Sequence, residues 1–365
     1  MCIVQGNRVI CQLPKLELET TKSDTKLVLG KRSQLEINSE DPVLIVSPPK
    51  KQCIIGSNNV LENTNGKSNT EVINLSDQLE EEVPLTEKQA ARIEAMKHSH
   101  LIQAARIGHS NKIKEIAETH PHLLDRPQIG YTALHYASFY NHRGAVETLI
   151  EVGASIDIKS ESGITPLAWA VDRGNSNLVG YLLECEADPS IANREGMTPL
   201  HTAVKNKNYT MVETLLSINT ETEEWTKVNA RTNLGCTPAY FAAFNGSLDI
   251  LQILYEYGAQ FNISSSVNVA PLHRAVSQGN VDVVKYLLEC NANVDKQDDN
   301  GRTALHTAAF GGNKALVEAL LIAKPKILRD INERTPLDLA NIRKWTTIAE
   351  ILEEYLSTCI DDWMQ

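Results

Sequence analysis

Four histidines recur along this chain and most resemble a catalytic or metal-binding set: His135, His201, His273 and His306. Imidazole is a common metal ligand and general base, but a metal ion needs its ligands within about 2 Å. Each histidine occupies the same place in a separate copy of one short phrase. Whether the four can meet therefore depends on how the fold spaces those copies.

The phrase around these histidines is Gly-x-Thr-Pro-Leu-His-x-Ala, and it recurs at a regular step. Four steps between successive copies are 33 residues long, and the step from Gly196 to Gly235 is 39 residues long. A period of 33 that carries Thr-Pro-Leu-His is typical of ankyrin repeats, and the chain resembles that family from about residue 99 to its C terminus. The copies begin at Gly130, Gly163, Gly196, Gly235, Asn268 and Gly301, and a shorter copy begins at Arg334.

Each copy predicts two helices and a turn. A threonine precedes the first helix, where its side-chain oxygen can accept a free backbone N–H, and a proline often takes the first helical position. Apolar residues then recur at spacings of three and four, as between Val283 and Leu287, which predicts a second helix with one buried face. The expected fold class is an all-α repeat solenoid, a stack of helix pairs with β-hairpin tips. The family resemblance implies that the motif histidines bond the backbone between repeats, so we expect no metal site and no cofactor.

Composition divides the chain into three parts. Residues 1–85 are rich in Ser, Asn, Thr, Glu and Lys without a helical period, which predicts a disordered N-terminal arm. Residues 86–128 begin with a capping box at Thr86 and Gln89 and are expected to form a helix and a capping repeat. Residues 129–365 hold about seven repeats, including a C-terminal cap. The longer step adds a loop at Trp225, which either contacts a partner or folds back onto the neighbouring helix.

Composition also limits the classes of function. A formal net charge of −11 on 365 residues argues against nucleic acid as a direct partner and suits a basic peptide. The sequence has no apolar run of membrane-spanning length, and its seven cysteines lack Cys-x-x-Cys spacing, which favours reduced thiols in the cytoplasm or nucleus. It also lacks the P-loop, dinucleotide-binding, Gly-x-Ser-x-Gly and His-Glu-x-x-His patterns. We therefore expect a monomer without catalytic activity or membrane insertion.

The resemblance implies a binding site on a concave surface, formed by the hairpin tips and the exposed ends of the first helices. Exposed aromatic side chains are the usual anchors of protein interfaces. One such ring is equally well explained as part of the core, but a group on one face favours a partner site. The candidate partner-binding residues are Tyr131, Phe139, Tyr140, Trp169, Asp172, Arg173, Lys205, Trp225, Phe244, Arg302 and Phe310.

The N-terminal arm carries two short motifs. The run from Val72 to Asp77, followed by three glutamates, resembles a SUMO-interacting motif, in which a short apolar strand joins a sheet edge and acidic residues meet a basic groove. Its apolar residues are Val72, Ile73 and Leu75. Two basic pairs resemble a two-part nuclear import signal, and the alternative is a solvated linker with scattered charges. Those pairs are Lys31 with Arg32 and Lys50 with Lys51.

The resemblance implies a non-enzymatic adaptor that presents a rigid, preformed surface to a partner protein or peptide. Two alternatives stay open. The first is a nuclear regulator, similar to ankyrin-type inhibitors of transcription factors or to ankyrin readers of histone tails, which the acidic charge and the import signal favour. The second is the substrate-recognition subunit of a ubiquitin ligase, which the short segment 357–365 after the last expected helix disfavours.

Overall fold

The chain forms two units, Met1–Glu81 and Glu82–Gln365, and each is described here by itself. The computed structural model describes the backbone of five strands in the first unit. In the second unit it describes residues 86–217 and 228–364, with side chains up to residue 358.

The strands of the first unit pair antiparallel. They are β1 (Cys2–Gln5) with β2 (Arg8–Leu13), β2 with β5 (Ser33–Gln34), and β3 (Leu16–Thr21) with β4 (Asp24–Leu29). The sequence analysis did not predict these strands, although leucine and glutamate alternate at the start of β3, as strands with two different faces do. The rest of 1–85 lies outside the described residues, where the disordered arm stays a prediction.

The second unit is built from helix pairs. Its described residues contain sixteen α-helices, of which the odd-numbered ones are the first helices of each pair and the even-numbered ones the second. A short 3-10 turn, Pro121–Leu123, follows the first pair. The helices are α1 (Glu87–Ile107), α2 (Ser110–Thr119), α3 (Ala133–Phe139), α4 (Arg143–Glu151), α5 (Pro166–Asp172), α6 (Ser176–Glu184), α7 (Pro199–Lys205), α8 (Tyr209–Ser217), α9 (Pro238–Asn245), α10 (Leu248–Glu256), α11 (Pro271–Ser277), α12 (Val281–Glu289), α13 (Ala304–Gly311), α14 (Lys314–Ile322), α15 (Pro336–Arg343) and α16 (Thr346–Met364).

The first helices begin where the repeated phrase predicts. In α7, Thr198 is the N-cap in an extended conformation, Pro199 follows at the first helical position, and His201 completes a capping box. Proline costs nothing at that position because its missing N–H would have no partner within the helix. The first helices from α3 to α15 have only 7 or 8 residues, so each spans about two turns from its tip.

The second helices bury one apolar face, and those from α4 to α14 whose following residues are described end at a left-handed residue. In α6, Leu178, Val179 and Leu182 are fully buried. After α4, Gly153 takes a φ of 95°, and the equivalent Glu186 takes a φ of 65°. Glycine accepts that conformation without the steric cost of a Cβ, whereas glutamate accepts it at a cost.

Each first helix packs against the first helix of the next repeat, and each second helix lies beside the second helix of the next repeat. The buried core is therefore one continuous strip between the two layers. First helices contact first helices from α1 through α15, and small residues such as Ala137 and Ala170 allow that close approach. Second helices contact second helices on the other side of the strip, for example α12 with α14. None of the described helices has both the length and the apolar character that crossing a bilayer requires.

Two expectations about the ends of the stack need correction. The N-terminal helix and the first helix of the capping repeat are one continuous helix, α1, because the sequence between them contains no glycine or proline to interrupt it. The last helix, α16, continues beyond Leu356 to Met364 rather than ending there. Ile348 and Leu352 are buried aliphatic side chains on its inward face.

Candidate partner-binding surface

The four motif histidines are buried and join neighbouring repeats. Nδ1 of His135 accepts the backbone N–H of Thr132 at 3.2 Å, and Nε2 donates to the carbonyl of Ile164 in the next repeat at 2.8 Å. The other three histidines make the same pair of bonds, with 3.0–3.2 Å to the next repeat's carbonyl. Burial lowers the pKa of all four imidazoles, and it lowers the pKa of His201 to about 4. They are therefore neutral and structural, and no cluster of metal ligands occurs among the described side chains.

Three repeats place another residue at the histidine position. Asp338 keeps the cap, because its carboxylate accepts the N–H of Thr335 at 2.8 Å. Tyr240 keeps a bond to the next repeat instead, since its hydroxyl accepts the Nε–H of Arg274. At Ala168, whose side chain cannot form a hydrogen bond, the helix start keeps the threonine cap, in which Thr165 Oγ1 accepts the Ala168 N–H at 3.2 Å. The joints between repeats are thus made in more than one way.

The tips are tight turns joined to one another by a ladder of backbone hydrogen bonds. Each tip closes on itself, as where Asn193 N–H donates to the carbonyl of Met197 at 2.9 Å. Each tip also donates to its predecessor, as where Arg194 N–H meets the carbonyl of Ser162 at 2.9 Å. Outside an isolated bridge at residues 128 and 131, the described tips carry no strand pairing. The ladder fixes the spacing of whatever side chains the tips present.

An aromatic cleft of about 260 Å³ runs along the exposed side of α3. Trp169 of α5 forms one wall, with its ring 5.9 Å from Tyr131 and 4.9 Å from Phe139 in edge-to-face contact. Edge-to-face pairs at such distances hold rings in place, so the cleft is preformed. Tyr140, whose ring lies 5.0 Å from Phe139, leaves 43% of its surface exposed. The lining residues are Ile129, Tyr131, His135, Tyr136, Phe139, Tyr140 and Trp169.

Two arginines flank this cleft from the helices on either side of α3. The guanidinium of Arg106, in the last turn of α1, lies 5.8 Å from the Tyr140 ring centre. The guanidinium of Arg173, just after α5, lies 4.5 Å from the Phe139 ring centre. Stacking on a ring restrains a guanidinium and leaves its N–H groups free to point outward.

The same pairing of an exposed ring with an arginine occurs in two later repeats. Phe244, at the end of α9, lies 5.9 Å from the Arg274 guanidinium of α11. Phe310, near the end of α13, lies 4.4 Å from the Arg343 guanidinium of α15 and 5.9 Å from that of Arg302. In each case the ring comes from one first helix, and an arginine comes from the next repeat.

The tips add exposed aliphatic side chains that the sequence analysis missed. In three copies, an exposed aliphatic residue immediately precedes the first residue of the repeated phrase. These residues are Ile129, Leu234 and Val267, and they are 87%, 68% and 50% exposed. The same position is polar in other copies, as in Glu195 and Asn300. That departure from the repeat was a usable signal, because structural positions recur whereas surface positions vary. Arg106, Arg274 and Arg343 were missed for a different reason, since only the fold brings them onto the rings.

The predicted site residues fall into three groups in the structure. Tyr131, Phe139, Trp169 and Arg173 belong to the cleft or its rim with Tyr140. Phe244, Phe310 and Arg302 belong to the two later pairs, where Arg302 lies beside Phe310. Asp172 and Lys205 are exposed at first-helix ends, where the Asp172 carboxylate accepts Nδ2–H of Asn206 at 3.2 Å. The remaining candidates lie outside the described residues: Trp225, Val72, Ile73, Leu75, Lys31, Arg32, Lys50 and Lys51.

Charge is divided unevenly between the two sides of the stack. Every second helix from α4 to α12 carries more acidic than basic side chains. The C-terminal ends of the first helices instead carry Arg106, Arg173, Lys205 and Arg343, with Asp172 as an acidic exception. The net negative charge of the chain therefore does not describe the surface that bears the rings.

Buried histidine joints, a ladder of tips and exposed rings together define an α-helical repeat protein of the protein-binding class. The sequence matches ankyrin repeats (three copies) over residues 82–160, 153–224, 218–298 and 272–359. The chain therefore belongs to the ankyrin-repeat family, whose repeats mediate protein–protein interaction.

One solved structure to which the chain is similar is the ankyrin-repeat domain of Bcl-3, described as a unique member of the IkappaB protein family. That domain is 28% identical, with a TM-score of 0.56, and the match covers 62% of this chain and 100% of that one. No curated protein matches the chain.

Proposed function

We propose that this chain is a non-enzymatic adaptor that binds a partner protein, or a peptide from one, on the surface formed by the first-helix ends and the tips. The observation that carries the proposal is the aromatic cleft, an open apolar site of about 260 Å³ beside α3. A contiguous apolar patch of partly exposed rings is uncommon on a monomer's surface unless a partner covers it. The proposal takes the chain to act as a monomer in the cytoplasm or nucleus.

The geometry of the cleft suits tight binding at a low ordering cost. Its rings are held by contacts between α3 and α5, and these helices are fixed by the buried bond from His135 to Ile164. A partner therefore meets side chains that have already lost most of their freedom, and less free energy is lost on association. Phe244 and Phe310, farther along the same set of helices, provide additional anchors for an extended segment.

A pair of double variants tests this proposal. Tyr140→Ala with Phe244→Ala should abolish capture of partners in proximity labelling of cells, because each change removes an exposed anchor. The thermal midpoint should stay close to that of the parent, since both rings are 43% exposed. Tyr209→Ala with Tyr257→Ala is the matched control, because these exposed tyrosines belong to the second-helix side. Unchanged capture by the first variant, or equal loss in both, would contradict the proposal.

A nuclear regulator is the second candidate, and the similarity to the Bcl-3 domain is the observation that favours it. On this candidate the partner is a transcription factor or a histone tail, and the basic pairs in the N-terminal arm direct import. A tagged full chain should then enter the nucleus, and Lys50→Ala with Lys51→Ala should reduce the nuclear fraction. Exclusion of both forms from nuclei would remove this candidate while leaving the adaptor proposal intact.

A further inference from the structure

We infer that the aromatic cleft takes an acidic segment of a partner, in which one aromatic or large aliphatic side chain enters the cleft and flanking carboxylates bind Arg106 and Arg173. This inference rests on the proposed function and names the chemistry of the partner at that same site. It differs, at this cleft, from the basic peptide that the net charge suggests for the concave face.

The first support is the position of the two guanidinium groups. Arg106 lies on the Tyr140 ring and Arg173 on the Phe139 ring, so both cations sit at the rim of the cleft itself. A guanidinium that stacks on a ring by its face still presents a planar set of donors at its edge. That edge matches a carboxylate, which can accept two parallel hydrogen bonds from it.

The second support is that both arginines are exposed and carry no ion pair within residues 86–217 and 228–358. By contrast, Arg334 is held by Asp330 at 2.8 Å, and Arg143 by Glu147 at 2.7 Å. The donors at the rim are therefore available to a ligand. When a partner's carboxylate replaces water at these donors, no ion pair within the repeats has to break.

The third support is that a cationic ligand is disfavoured at this cleft. A methylated lysine is recognised by ring faces, but here two ring faces already have a guanidinium beside them, at 5.8 and 4.5 Å. Two acidic groups lie nearby: Glu161, whose side chain packs against Gly130, and Asp172, which already accepts a hydrogen bond from Asn206. Neither reaches a ring in the way that the arginines do.

The distances also set the spacing of the bound segment. The two ring-to-guanidinium distances, together with the 5.0 Å between the Phe139 and Tyr140 rings, place the guanidinium carbons within about 15 Å of each other. An extended chain advances about 3.3 Å per residue. This upper limit predicts two acidic residues at most about five positions apart, on either side of the apolar anchor.

The experiment selects random peptides displayed on phage for binding to the full chain. Phage that also bind the Tyr140→Ala, Phe244→Ala double variant are discarded, so that the retained peptides depend on those rings. Enrichment of peptides with an apolar residue between acidic residues at the predicted spacing would support the inference. Enrichment of neutral, basic or methyl-lysine peptides would overturn it while leaving the proposed function standing. Failure to enrich any peptide that depends on Tyr140 and Phe244 would instead count against the proposed function and the inference together.

A charge test follows on one selected acidic peptide, measured by fluorescence anisotropy. Arg106→Gln with Arg173→Gln should weaken binding roughly tenfold, because two exposed ion pairs are lost. Lys114→Gln with Lys285→Gln removes the same charge from exposed sites on α2 and α12, and should leave the affinity unchanged. Equal weakening in both double variants would show a general effect of net charge and overturn the assignment to the cleft.

Discussion

Protonation of His201 should destabilise the stack in mildly acidic solution. The imidazole is fully buried between α7 and the following repeat, where Nδ1 accepts the N–H of Thr198 and Nε2 donates to the carbonyl of Cys236. A proton on Nδ1 would turn that atom from an acceptor into a donor, and it would then face the N–H of Thr198, which is also a donor. It would also place a charge in a site that has no acidic partner for it among the hydrogen bonds described.

The size of this effect follows from the pKa. Burial lowers the pKa of His201 from 6.5 to about 4 in the folded chain, whereas the unfolded chain keeps the ordinary value. Above pH 6.5 both states are neutral, so the stability is fully present. As the pH falls below 6.5, only the unfolded state gains the proton, and stability is lost until the pH approaches 4. Between pH 7 and pH 5 the loss attributable to this one group is about 2 kcal/mol.

The measurement compares urea unfolding of the parent and of His201→Gln at pH 7 and pH 5, followed by circular dichroism. Glutamine keeps the cap, as Gln89 does for Thr86 at 3.0 Å, but it does not titrate. The variant should be less stable than the parent at pH 7, and this difference should shrink by about 2 kcal/mol at pH 5. Exposed His100→Gln is the matched control and should follow the parent at both pH values. A difference between His201→Gln and the parent that is the same at both pH values would refute the reasoning.

Two further predictions concern the tips and the second helices. Gly196→Ala should lower the free energy of unfolding by at least about 2 kcal/mol, and Gly153→Ala should lower it by about 1 kcal/mol. Both residues have positive φ, which a Cβ disfavours. Of these two, only Gly196 would also bring its new Cβ against a backbone atom, the nitrogen of Asn233, at 2.7 Å. Equal losses in chemical denaturation would contradict a close approach between tips. Leu287→Ala in the buried face of α12 should cost about 2–5 kcal/mol and lower hydrogen-exchange protection first in α10 to α14, since each repeat contacts only its neighbours. A uniform loss of protection from α3 to α16 would argue against such local coupling.

Much of the fold could be predicted because several copies of the repeated phrase carry the same signals for the same two helices and turn. The threonine cap, the proline at the first helical position and the apolar spacing of the second helix recur in most copies, so single departures such as Ala270 at the cap or Ala133 at the first position do not hide the pattern. The ends of the stack were predicted less well. Helices α1 and α16 belong to no full copy of the phrase, and their true lengths depend on the absence of breakers and on packing against a single neighbour.

The candidate site could be predicted only in part, for a related reason. Rings at the ends of first helices are visible as departures from the repeat, and Phe139, Tyr140 and Trp169 were found in this way. The arginines that lie on those rings come from other repeats, 33 or more residues away in the sequence. Their contact depends on how far a long side chain reaches between adjacent helices, and no local pattern encodes that distance.

The cleft exists only where two repeats are docked, and this links stability to binding. Tyr131 contacts His135 of its own repeat and Trp169 of the next, at 5.8 and 5.9 Å between ring centres. If the joint between these repeats opens, the wall formed by Trp169 moves away from the other rings and no site remains. A partner that binds the closed form must therefore stabilise that joint by mass action. The repeated phrase thus supplies the rigidity of the surface, while the residues outside it determine which partner is bound.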